Sequence, residues 1–106
     1  MTNPDRRKHP RFKVYAPIEF CPKGSAGPIR GKTSDLSMGG CYVEMMFTFA
    51  VGTKVEMSLQ VGDRAIRVMA IMVTRDLHIG NGIKFVDMLP EDRDALRSYL
   101  HTAEKA

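Results

Sequence analysis

The chain has 106 residues, 43% of them hydrophobic and 26% charged, with a net charge of +4. This is the content of one modest domain with a single core. The N-terminus lacks an apolar leader core and no run approaches 18 apolar residues, which argues against secretion and membrane insertion and for a cytoplasmic protein. Positive charge is concentrated early: residues 1–34 carry eight Lys/Arg against two acids, residues 35–106 eight against ten. A partner drawn by charge is therefore anionic and docks on the N-terminal third.

The first segment, residues 1–11, is a basic arm. Within it RRKHPRF, residues 6–12, places three arginines, a lysine and a histidine just before the first apolar run. By charge alone the arm reads first as a solubilising tail. Pro10 bars a helix through it and favours an extended or turning path.

Residues 12–106 carry the fold. FKVYAPIEF alternates, with Phe12, Val14, Ala16, Ile18 and Phe20 on one face, which predicts a half-buried strand. Pro17 argues for an edge position or an outward-facing backbone nitrogen. CPKGSAGP is a turn by composition. IRGKTSDLSM, CYVEMM and TKVEMSLQ read as further strands, and VGDR as a tight hairpin turn on Gly62-Asp63. AIRVMAIMVTR is a long, nearly continuous apolar strand, HIGNG a turn, and IKFVDM a short sixth strand. Met45, Met46, Met57, Met69 and Met72 are expected to fill the core. The period then changes. Pro90 suits a first helical position, Glu91 and Asp92 suit the positive helix end, and Leu96, Tyr99, Leu100 and Ala103 share one face, predicting a helix over about 90–104. Six strands in hairpin order and a terminal helix predict a β-dominated domain: a small antiparallel barrel or rolled sheet with the helix over an open end.

Little here suggests catalysis or metal binding. His9, His78 and His101 lie in separate segments without ligand spacing, and no nucleophile elbow or phosphate loop is present. The reading is a binding protein rather than an enzyme, with no metal and no cofactor. Cys21 and Cys41 form no spaced set and fit reduced core or near-core thiols.

DLSMGGCYVE, residues 35–44, is the second unusual stretch. Period two along a strand over 29–38 turns Leu36 inward and presents Asp35 and Ser37 outward as a pair. Gly39 and Gly40 then allow positive φ or the close approach of a ligand or another backbone. An ordinary polar turn has the same composition. Arg7 and Arg11, four apart, can fork onto phosphate oxygens or the O6/N7 edge of guanine, while Asp35 suits the N1–H and N2–H donors on guanine's other edge. A ligand with guanines and phosphates fits both stretches.

RxxxR before the first strand, carried by Arg7 and Arg11, and DxSxxG some two dozen residues later, carried by Asp35, Ser37 and Gly40, resemble the pattern of PilZ domains. GNGIKF, Gly80 to Phe85, resembles that family's GxGVxF-like strand, and the likeness covers about residues 5–102. It implies a six-stranded antiparallel β-barrel with a C-terminal helix, and a bacterial receptor for the second messenger cyclic di-GMP. By resemblance, Arg7 and Arg11 hold phosphates and guanine Hoogsteen edges, Asp35 and Ser37 contact guanine and phosphate, and Gly40 keeps the turn open. Arg6 and Gly39 are additional contacts.

The expected mechanism is an arm that orders over the nucleotide and remodels a surface for a downstream protein partner or a homodimer. The alternative is a protein-interaction adaptor of the same fold that does not depend on nucleotide. General binding of DNA or RNA is not expected, because stacking aromatics interleaved with basic residues are few, Tyr15 and Tyr42 among them.

Overall fold

The computed structural model describes residues 10–22 and 27–105. Six strands, β1 (Pro17–Pro22), β2 (Ile29–Leu36), β3 (Gly40–Glu44), β4 (Lys54–Val61), β5 (Arg64–Asp76) and β6 (Gly80–Met88), precede one helix, α1 (Pro90–Lys105). They close into a barrel in the order β1-β2-β3-β6-β5-β4. All neighbours are antiparallel. Two three-stranded meanders are thus joined edge to edge, β1 to β4 and β3 to β6.

Alternation in the sequence becomes the inner wall. Val55, Met57, Leu59 and Val61 of β4 and Ile66, Val68, Ala70 and Met72 of β5 are all buried, each set two residues apart. Gly62-Asp63 form the predicted two-residue hairpin loop. Gly62 has φ +70° and Asp63 does not share that sign, the pattern of a II′ turn that matches strand twist.

Register also sorts the ends. Leu36 pairs with Cys41, and Gly40 with Lys84 near the close of β6. The β2–β3 turn, the β4–β5 hairpin and the end of β6 therefore share one end of the barrel, which α1 covers with Leu96 and Leu100. The opposite end is plugged by the β3–β4 connection. There Phe49 packs edge-on against Phe20, with ring centroids 6.0 Å apart. Asn81 fixes that plug: Phe49 N donates to Asn81 Oδ1, and Asn81 Nδ2 donates to Phe49 O and Thr74 O. Asn81 is fully buried, and these three bonds are what make a buried amide tolerable.

Five expectations need correction. Residues 12–20 are not one strand: β1 begins at Pro17, and upstream only Phe12 bridges to Leu36. The alternation still holds through Phe12, Val14 and Ala16 because Thr33 anchors the segment by other bonds (below). Pro17 is not on an edge, since the barrel is closed; it is the first residue of its strand, where a missing N–H is tolerated. Gly80-Asn81-Gly82 lie in β6 rather than in a turn. A Cβ on Gly80 would strike Val43 O and the Tyr42 ring, and one on Gly82 the Thr74 hydroxyl, so both glycines serve close packing within the sheet. Met46 and Met69 are exposed instead of buried: Met69 falls on the outward parity of β5, and Met46 lies past the end of β3. Cys21 is exposed, while Cys41 is buried, and both are free thiols. The helix, by contrast, lies where it was expected, with Pro90 as its first residue and Leu89 O accepting from Asp92 N and Arg93 N.

Candidate functional site

Two backbone hydrogen bonds bring the arm to the glycine turn. Phe12 N donates to Leu36 O and Leu36 N to Phe12 O, each at 2.9 Å. Phe12 and Leu36 face inward, so their neighbours Arg11 and Asp35 lie together on the outer face. Arg11 Nη1 donates to Asp35 Oδ1 at 3.2 Å, and both side chains are half-buried. Thr33 secures the same segment from beneath: Ala16 N donates to Thr33 Oγ1, Thr33 Oγ1 donates to Val14 O, and Thr33 N donates to Ala16 O.

Asp35 owes its aim to a bulge. The β2–β3 register slips between Thr33 and Asp35. Ser34 and Asp35 consequently sit side by side outside, between the buried Thr33 and the buried Leu36. One inserted residue re-aims a side chain in this way; period-two counting from Leu36 gives the outward Asp35 but not the outward Ser34 beside it.

Ser37 departs from the sequence reading. It is buried, at 4% exposure, because β2 ends at Leu36 and the chain turns inward. Its Oγ accepts from Gly39 N and Gly40 N, both at 3.1 Å, and donates to Gly40 O at 3.2 Å. The hydroxyl therefore organises the turn. Gly40 is required by its neighbour strand: a Cβ there would collide with Ile83 O, and no positive φ is involved. Of the two openings expected at this glycine, close approach of another backbone is the one present.

Arg11, Ser37, Gly39 and Gly40 line one cavity of about 490 Å³, within the usual range for small-molecule sites. Met38, Val73 and Phe85 supply apolar wall, and Lys84, Asp87 and Arg93 supply charge. Arg11 Nε is buried there and has no hydrogen-bond partner among the described residues. A buried, unpartnered guanidinium N–H is costly unless something accepts from it. Arg6 and Arg7 lie outside the described residues.

The other local groups set the electrostatics. Burial pushes the Cys41 thiol well up, with the nearby Asp35 carboxylate adding and Arg11 opposing. Tyr42, the register partner of Asp35, donates to Asp76 Oδ2 at 2.7 Å. Its hydroxyl is pushed up to about 12, first by desolvation and then by that bond. Tyr42 thus stays a neutral donor, tying β3 to the end of β5. Among the described residues no cluster of His, Cys, Asp or Glu could hold a metal ion, and no helix is long and apolar enough to cross a membrane.

The family model for the PilZ domain matches residues 5–102. This chain belongs to the PilZ domain family. Solved PilZ structures share its fold at low identity. The inhibitor of motility MotI/DgrA of Bacillus subtilis superposes with TM-score 0.77 at 17% identity, over 94% of this chain and 52% of that one. The PilZ domain of YcgR from Escherichia coli, solved with c-di-GMP, gives 0.76 at 14%, over 94% and 92%. The PilZ domain of CeSA from a cellulose-synthesizing bacterium gives 0.68 at 19%, over 89% and 97%. This PilZ chain thus spans about half of MotI/DgrA but nearly all of the two isolated domains. No curated protein sequence matches it.

Residues Lys84, Asp87 and Arg93 were not among the candidates read from the sequence. Lys84 lies within GIKF, yet its place at the site depends on the Gly40–Lys84 pairing. Asp87 and Arg93 needed the β6 register and the helix packing.

Proposed function

We propose that this PilZ domain is a cyclic di-GMP receptor, with Arg7, Arg11, Asp35, Ser37 and Gly40 forming its ligand site and Arg6 and Gly39 beside them. The observation that carries the reading is Arg11. Its guanidinium sits in a cavity of ligand size, oriented by Asp35, with a buried Nε donor that no described residue satisfies. A phosphate or a guanine O6/N7 edge is the acceptor such a fork takes in two bonds. Membership of the family and the c-di-GMP complex of the YcgR domain support the same choice of ligand. Asp35 holds Arg11 in the free protein and takes guanine N–H donors in the complex, while Ser37 and Gly40 keep the turn low enough for a base to lie on it.

Ligand binding draws the arm down over the dinucleotide, and the remodelled surface is read by a protein partner or a second copy. Amide exchange of residues 5–11 slows on saturation with cyclic di-GMP; exchange that does not change eliminates the arm-ordering step. Titration with cyclic di-GMP, with GTP and an oligonucleotide as controls, tests the receptor reading. Saturable binding of the cyclic dinucleotide alone is expected, and no binding refutes it. A nucleotide-independent adaptor has no specific observation in its favour.

A further inference from the structure

The cavity beside Arg11 holds three charged side chains that the motifs do not include: Lys84, Asp87 and Arg93. Each has a distinct structural reason to be there. Lys84 is the register partner of Gly40 across β3–β6 and is exposed between the buried Ile83 and Phe85, so it rises beside the glycine turn. Asp87 stands at an inward parity counted from Phe85, but the β5–β6 register slips between Phe85 and Asp87. That bulge leaves both Val86 and Asp87 outside. Arg93 comes from the start of α1.

Arg93 is unusual in its freedom. Every other described arginine has a protein partner: Arg11 Asp35, Arg30 Glu19, Arg64 Asp92, Arg67 Glu56, Arg75 Thr48 and Arg97 Asp94. Among the described residues neither Arg93 nor Lys84 is ion-paired, although Asp87 lines the same cavity. The β6–α1 wall therefore offers two unneutralised cations and one carboxylate acceptor, a charge set like that of Arg11 and Asp35.

We propose that Lys84, Asp87 and Arg93 form a second recognition set for the cyclic dinucleotide, Lys84 and Arg93 taking phosphate oxygens and Asp87 the N1–H and N2–H donors of a guanine. This rests on the reading of the cavity as a cyclic di-GMP site. Met38 and Val73 provide apolar surface against which a base lies. Because Arg93 belongs to α1, ligand held this way bridges the barrel wall and the helix, and the helix becomes part of the liganded surface.

The test is calorimetric titration of the full chain with cyclic di-GMP, comparing wild type with Lys84→Ala, Arg93→Ala, Asp87→Ala and Arg97→Ala. Lys84, Asp87 and Arg93 are exposed, so far-UV circular dichroism is expected to match wild type. Lys84→Ala and Arg93→Ala are expected to weaken binding about ten-fold or more, and Arg93→Lys to recover part of the loss. Asp87→Ala is expected to lower the preference for cyclic di-GMP over cyclic di-AMP. Arg97→Ala removes a charge one turn further along α1, outside this cavity, and is expected to change affinity by less than about two-fold. If Lys84→Ala and Arg93→Ala bind as wild type while Arg11→Ala does not, the second set is refuted and the receptor reading stands. An equal loss in Arg97→Ala also refutes it, since long-range charge then accounts for the effect. Absence of binding by the wild type removes both readings together.

Discussion

Ser37 shows how a side chain can line a cavity and yet use its hydroxyl to hold a turn. Its buried hydroxyl satisfies two turn N–H groups and a carbonyl. Ser37→Ala leaves Gly39 N–H and Gly40 N–H without that acceptor, and is expected to cost about 1–3 kcal/mol of stability. Chemical denaturation should show this loss together with weaker cyclic di-GMP binding, whereas a residue that only contacts ligand loses affinity at unchanged stability. The cysteines give a second check at this scale. Cys41 is buried with its thiol pushed up, and Cys21 is exposed. Near neutral pH a thiol reagent is therefore expected to label Cys21 in the native protein and both cysteines after denaturation. Two labels in the native protein would contradict the packing of β3. The two stretches that carry Arg11 and Asp35 were singled out in the sequence, and the structure brings them together. The inward turn of Ser37 was not legible there, because it depends on where pairing of β2 stops.

At the scale of elements, the segment before β1 matters most. It makes one bridge at Phe12 and otherwise leans on Thr33, which accepts from Ala16 N and donates to Val14 O. Thr33→Val keeps the shape and removes both bonds, at about 2–3 kcal/mol, or a fall in melting temperature of roughly 10 °C. Since the same segment positions Arg11, cyclic di-GMP binding is expected to weaken with it. A variant with wild-type melting temperature would show that Thr33 does not anchor the arm. The alternation of Phe12 to Phe20 marked this face correctly, yet it could not distinguish a ladder-bonded strand from a segment held by one bridge and by Thr33. Strand parity placed Asp35 outward correctly but fails at the adjacent Ser34, and again at Asp87. Each bulge answers to a partner strand, and partners are not written in local periodicity. The Gly62-Asp63 turn and the stripe of α1 were readable because their signals are local.

For the whole molecule, six short strands and a helical tail were enough to predict a small antiparallel barrel, and the PilZ-like motifs gave its closure. What length and pattern did not give was the pairing of β1 with β4 and of β3 with β6. The second of these pairings sets Lys84 against Gly40. The N-terminal third carries the excess positive charge, and the cavity adds Lys84 and Arg93 from the remainder of the chain. Arg11 stands where the arm, the glycine turn and the cavity meet. Replacing it therefore tests the receptor reading most directly. Calorimetric titration of wild type and Arg11→Ala with cyclic di-GMP is predicted to show saturable binding that the variant weakens by about one to two decades, at unchanged circular dichroism. Undiminished affinity in the variant, or no binding by the wild type, would contradict it.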